Sequence, residues 1–168
     1  MTDLGRLFRG EHPFISSPGK WILVGHGMTG GDMKRIPMEG QIEIIHGGGK
    51  ILTRGSMNLV SHVDQVSFSS QYEMTPTEIP EVLSFFQANP EVGDLRGQVV
   101  AFDDRIISSY RSGDGALVGT EVFLRVSDRR YLVTGSLTRG DRIVNLWKLD
   151  MVRPSSGSGS EGIVEAKE

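Results

Sequence analysis

Residues 97–154 read GQVVAFDDRIISSYRSGDGALVGTEVFLRVSDRRYLVTGSLTRGDRIVNLWKLDMVRP. Gln98–Phe102 is largely apolar and ends at Asp103-Asp104. Ile106–Tyr110 follows and ends at Ser112-Gly113-Asp114-Gly115. Thr120–Val126 leads to Ser127-Asp128-Arg129, Tyr131–Leu137 to Arg139-Gly140-Asp141, and Ile143–Met151 to Arg153-Pro154. Strands of about 5–10 residues parted at short intervals by Asp, Gly and Ser describe an antiparallel meander, because those residues tolerate the backbone angles of tight hairpin turns. Five such strands present an apolar face that only a second layer, or closure of the sheet on itself, can bury.

Upstream, Lys20–Met28 reads as the first strand, and its continuous apolar run Trp21–Val24 predicts cover on both faces. Thr29–Gly40 reads as a loop broken by Gly30-Gly31 and Pro37. Gln41–His46 and Lys50–Leu59 are strands joined at Gly47-Gly48-Gly49. In Val63–Met74 the alternation is cleanest. Val66, Phe68, Ser70, Tyr72 and Met74 share one face, and Ser67, Ser69, Gln71 and Glu73 the other, as on a half-buried strand. Thr75–Asn89 reads as a helix. Thr77 is its N-cap, Pro80 sits in its first turn, Ile79, Val82, Leu83 and Phe86 fall at helical spacing, and Pro90 stops it. Thr2–Arg9 has the pattern of one or two helical turns. Parallel βαβ units would need a helix between most strands, so the sheet is antiparallel. The expected fold is mainly β: one domain over residues 1–154, an up-and-down barrel of 8–10 strands with one short helix inserted mid-chain. The Gly/Ser-rich residues 155–168 are expected to form a disordered tail.

Composition narrows the function. The chain has 168 residues, no cysteine and a net charge of -3. Thiolate chemistry and disulfides are thereby removed, and a nucleic-acid partner, which calls for basic surface, is not expected. No run of 18 apolar residues spans a membrane and no secretory pattern opens the chain, so a cytoplasmic protein is expected.

Individual motifs add little chemistry. Gly25-His26-Gly27-Met28-Thr29-Gly30 matches G-x-G-x-x-G, but Gly31, Pro37 and Gly40 preclude the long helix that would receive a pyrophosphate. His12, His26, His46 and His62 show neither the i, i+2 nor the i, i+4 spacing of paired metal ligands. Only a pairing of the first two long strands would bring His26 and His46 together. No metal or cofactor is expected. Asp103, Asp104, Asp114 and Asp128 belong to turns. Glu121 stands beside a long apolar run and is the best single acid, against the plainer reading of a solvated outer-face residue. No nucleophile–base–orienter set can be assembled, so a non-catalytic role is expected.

Gly19-Lys20-Trp21, opening the first strand after a short helical segment, resembles the G-x-W motif of the calycins, the lipocalin, fatty-acid-binding and avidin-like barrels. The resemblance implies that Trp21 closes one end of a barrel and that a basic residue of the last strand, Arg153 or Lys148, packs over it. Phe68, Tyr72, Tyr110, Tyr131 and Trp147 lie on the expected strands and either fill the barrel or line a cavity. Two functions follow. One is binding of a small apolar or amphipathic ligand among those five residues. The other is an interaction or structural module with a filled barrel, homo-oligomeric through the 77–89 helix, where the adjacent Phe85 and Phe86 cannot both face the core of a narrow helical stripe.

Overall fold

In the computed structural model, which describes residues 12–29, 33–60, 65–88 and 93–155, ten strands follow one another around a closed antiparallel barrel. A short helix, α1 (Pro13–Ser16), precedes them. The strands are β1 (Gly19–Thr29), β2 (Lys34–Gly47), β3 (Lys50–Val60), β4 (Gln65–Pro76), β5 (Val82–Gln87), β6 (Leu95–Phe102), β7 (Arg105–Ser112), β8 (Leu117–Ser127), β9 (Arg130–Arg139) and β10 (Arg142–Val152). Each pairs with its neighbour in sequence, and β1 closes the ring on β10 with Leu23 opposite Met151 and Gly27 opposite Trp147. The expected up-and-down barrel is thus the observed one. The Thr2–Arg9 reading, and the tail beyond Ser155, lie outside the described residues.

The expected Thr75–Asn89 helix is not formed over its described residues, 75–88. β4 runs on through Pro76, residues 77–81 turn, and Val82–Gln87 is a strand paired with both β4 and β6. Thr77 caps this turn: its hydroxyl donates to the Val82 carbonyl at 2.9 Å and accepts from the Ile79 amide at 3.1 Å. The apolar spacing at 79, 82, 83 and 86 is helical, but Leu83 and Phe85 also fit the alternation of a strand. Leu83 and Phe85 turn inward while Ser84 and Phe86 turn outward, and ladder bonds on both sides outweigh local helical preference. The face on which a helical homo-oligomer contact was expected therefore does not exist. Phe85 is core, and Phe86 lies outside under the Arg96 guanidinium, 4.8 Å from the ring centre.

Two further differences concern β1 and β2. Ile22 and Val24 on the outer face of β1 are 48% and 57% exposed, so that strand is covered on one face only. The loop expected over Thr29–Gly40 is largely strand, because Pro37 precedes the first β2–β3 pair, Met38 with Leu59, and interrupts no rung of that ladder. Turn chemistry is as the residues dictate: Gly48 and Gly49 at φ 58° and 74° join β2 to β3, and Gly140 at φ 60° joins β9 to β10.

The core is densest at the α1 end. Phe14 and Ile15 of α1 are buried, with Phe14 stacked on Phe123 at 5.2 Å and edge-on to Trp21 at 5.7 Å. His46 at the end of β2 donates from Nε2 to the Ile15 carbonyl at 2.7 Å and so ties the helix across this end. The opposite end differs. β4 pairs with β3 from Gln65 to Met74 but with β5 only from Glu73 onward, so among the described residues Gln65–Tyr72 has one neighbouring strand. Val66 and Phe68, on the inward side of that stretch, are 56% and 48% exposed.

Candidate ligand site in the barrel

Trp21 fixes the floor. It is fully buried, and Arg153 reaches across from the end of β10 with its guanidinium 5.9 Å from the ring centre and Nη2 donating to the Pro18 carbonyl at 2.6 Å. Gly19 is held at φ 142°, which favours glycine, and a Cβ there would stand 2.7 Å from Arg153 Nη2 and push the guanidinium aside. The cation over Trp21 is Arg153; Lys148 is exposed on the outer face. Tyr131 belongs to this floor as well. Its ring meets Trp21 at 5.6 Å and Phe14 at 6.0 Å, its hydroxyl lies 3.4 Å from His12 Nδ1, and burial pushes its pKa up to about 12. It stands with the closing residues, not with the other tyrosines.

Above the floor lies a polar centre. Glu121 on β8 is paired with Ser108 of β7 and Gly135 of β9, positions that point inward with it. Tyr110 of β7 lies over Gly119, where a Cβ would overlap the phenol ring, and Trp147 of β10 lies over Gly135, where a Cβ would overlap the indole. The two glycines let aromatic rings fold flat onto neighbouring strands, one on each side of Glu121. Across the barrel Phe85 stacks on Tyr110 at 5.2 Å and meets Tyr72 at 5.0 Å. Tyr72, Tyr110, Glu121 and Trp147 are all half-buried, in contrast to the sealed floor.

The electrostatics follow from burial without a countercharge among the described residues. Desolvation raises the Glu121 pKa to about 7, and the Trp147 indole N–H directed at the carboxylate offsets only part of that. Desolvation, and then the nearby Glu121 charge, raise the phenols of Tyr72 and Tyr110 well above their ordinary range. Thr53 faces the Tyr72 phenol and lowers it slightly, short of full hydrogen-bond geometry. Between the centre and the floor remains a cavity of about 10 Å³ that Glu121, Tyr72, Ser108 and Phe14 share, enough for one water.

Four of the five aromatic residues singled out in the sequence thus sit above the floor. Tyr72, Tyr110 and Trp147 gather, and Phe68 lies two rungs further along the inward side of β4. Glu121 proves to be an inward residue and not a solvated outer one. Its alternation with Phe123, which is buried on the same face, was the available signal. Gly119 and Gly135 carried no signal as site residues, since a ring lying on a neighbouring strand leaves no trace in the local pattern.

The other motifs resolve into structure. Gly25 and Gly27 lie within β1, which continues straight through the G-x-G pattern to Thr29. A Cβ at Gly25 would overlap the Lys148 carbonyl of β10, so close strand approach accounts for it. His26 pairs with Pro37 and His46 with Ile51, so the two histidines do not meet. Among the described residues no three of His, Asp or Glu gather as metal ligands would.

No family model and no curated protein matches the chain. Among solved structures, the S-type phycobiliprotein lyase CPES of Guillardia theta superposes with a TM-score of 0.61 at 11% identity, over 84% of this chain and 90% of that one. A Nitrosomonas europaea chain named for AttH aligns at 9% identity with a TM-score of 0.30, over 79% of this chain and 49% of that one, and that second likeness carries no argument. The first shows a shared fold. A ten-stranded antiparallel barrel with such a neighbour fits a calycin-like barrel.

Proposed function

We propose that this chain binds one small amphipathic molecule inside the barrel, without catalysis, its polar end at Glu121, Tyr72, Tyr110 and Trp147 and its apolar body toward Phe68 and Met57. The observation that carries this reading is Glu121 itself. A carboxyl group inside a barrel with no cation beside it among the described residues destabilises the fold, and a barrel that only needed filling would hold a Leu there. The half-buried state of the four central side chains, together with the exposed inward face of β4 at Val66 and Phe68, supports an approach along that flank.

The 10 Å³ cavity means that a ligand enters by displacing side chains rather than by filling a void. Met57 and Met38, half-buried on the inward faces of β3 and β2, are the unbranched residues best suited to give way. That displacement and the lost freedom of the ligand hold affinity to the micromolar range, on the order of -8 kcal/mol. The test is displacement of a fluorescent apolar probe. Wild type is expected to bind the probe, and Ser70→Trp, which places an indole on the inward face of β4, to lose it while still unfolding cooperatively. Absence of probe binding by folded wild type would overturn the reading and favour a filled barrel acting as an interaction module.

A further inference from the structure

The side chains around Glu121 also specify the charge of what it receives. Facing it are Tyr110 and Ser108 from β7, Tyr72 from β4, Trp147 from β10 and, beyond Tyr72, Phe85 from β5. Gly135 of β9 contributes no side chain, and β1 offers only Leu23, Gly25 and Gly27 at its inward positions on this level. Both phenols are held in their neutral form. None of these groups carries positive charge. The inward-register Arg and Lys residues among the described residues lie at the two ends: Arg125 at the floor, bonded to Asp128 at 2.9 Å, and at the far rim Arg139, near Asp114, and Lys34, which opens β2 opposite Thr29. One carboxylate walled by the faces and edges of aromatic rings is the chemistry that recognises an organic cation: the rings attract it through their quadrupoles and the carboxylate supplies the countercharge.

We propose that the barrel is selective for an organic cation, an ammonium or similarly charged nitrogen group on an apolar body, and rejects carboxylic acids of the same length. This rests on the ligand-binding reading above and narrows it. An anionic headgroup brought to Glu121 would meet a like charge and, among the described residues, no cation, whereas an ammonium would remove the cost of burying that carboxylate. Because desolvation raises the Glu121 pKa to about 7, cation affinity should depend on pH in the direction opposite to that of a carboxylate-binding barrel. Glu121 is charged at high pH and attracts the cation; protonation at low pH releases it.

The experiment titrates the full chain with octyltrimethylammonium, octanol and octanoate, each below its aggregation concentration, by displacement of a neutral fluorescent probe. At pH 8 the expected order is the ammonium at least tenfold tighter than the alcohol, with the carboxylate weakest. Between pH 8 and pH 5.5 the ammonium should weaken severalfold while the alcohol stays constant. Glu121→Gln should lose the preference for the cation, the ammonium and the alcohol then binding within about twofold of each other at both pH values. Octanol binding with no preference for the ammonium, or a preference that survives in Glu121→Gln, overturns the cation inference alone. Failure of all three ligands with a folded protein overturns the ligand-binding reading and this inference with it.

Discussion

Glu121 and Trp147 approach one another inside the barrel from strands two apart, with Gly135 between them leaving room for the indole. The relationship costs stability. Among the described residues the carboxyl group has one directed donor and no countercharge, and desolvation raises its pKa to about 7.

The pH dependence has a definite sign. Glu121 holds its proton more tightly in the folded than in the unfolded chain. Its contribution is therefore most favourable below the unfolded value, and stability falls as pH rises through the window from the ordinary glutamate range to about 7. Glu121→Gln should stabilise the protein by about 2 kcal/mol at pH 8 and by little at pH 4.5, a discounted figure because the group keeps partial solvent contact. Denaturant midpoints at the two pH values check this; equal effects at both would show that Glu121 is not desolvated.

Replacing Trp21 with Ala should cost about 3–5 kcal/mol, as removal of a fully buried aromatic does. Arg153→Ala loses the bond to the Pro18 carbonyl and the cover over the indole and should cost about 1 kcal/mol. Urea unfolding reads both. A Trp21 loss under about 1 kcal/mol would contradict its place in the floor.

On β5, Phe85→Ala should cost about 3–5 kcal/mol and Phe86→Ala less than about 1.5, because the first is core and the second lies outside beneath Arg96. Comparable losses at both positions would contradict the strand assignment of Val82–Gln87.

The barrel was legible from Gly97–Pro154 because each hairpin there carries its own turn chemistry: Asp103, with its positive φ, and Gly140 sit where the chain reverses. Val82–Gln87 was not, because Leu83 and Phe86 satisfy a helical spacing while Leu83 and Phe85 satisfy a strand's, and what decides between them is hydrogen bonding to β4 and β6, which no local window contains. The same limit applies to the site. Tyr72, Tyr110 and Trp147 could be named as inward aromatics from alternation, but Tyr131, equally regular in its strand, belongs to the floor because α1 folds back over it. The importance of Glu121 depends on what faces it from β4, β7 and β10, and that is set by closure of the ring.

Gly119→Ala and Gly135→Ala test the ring placements. The added methyl would overlap Tyr110 or Trp147, so each ring must leave its strand, at about 1–3 kcal/mol. Gly135→Ala should also shift the Trp147 emission. An unchanged emission with unchanged stability would contradict the position of that indole.

The most direct measurement is a titration of isotope-labelled protein with octanol, following backbone amides and the Trp indole N–H groups by two-dimensional NMR. Binding inside the barrel predicts saturable shifts centred on Tyr72, Tyr110, Glu121 and Gly135 and on the Trp147 indole, extending to Phe68, with Tyr131 and the Trp21 indole of the floor nearly unmoved. Shifts confined to the outer face, around Ile22, Val24 and Val152, or no saturable shifts at all, would contradict a ligand site at Glu121.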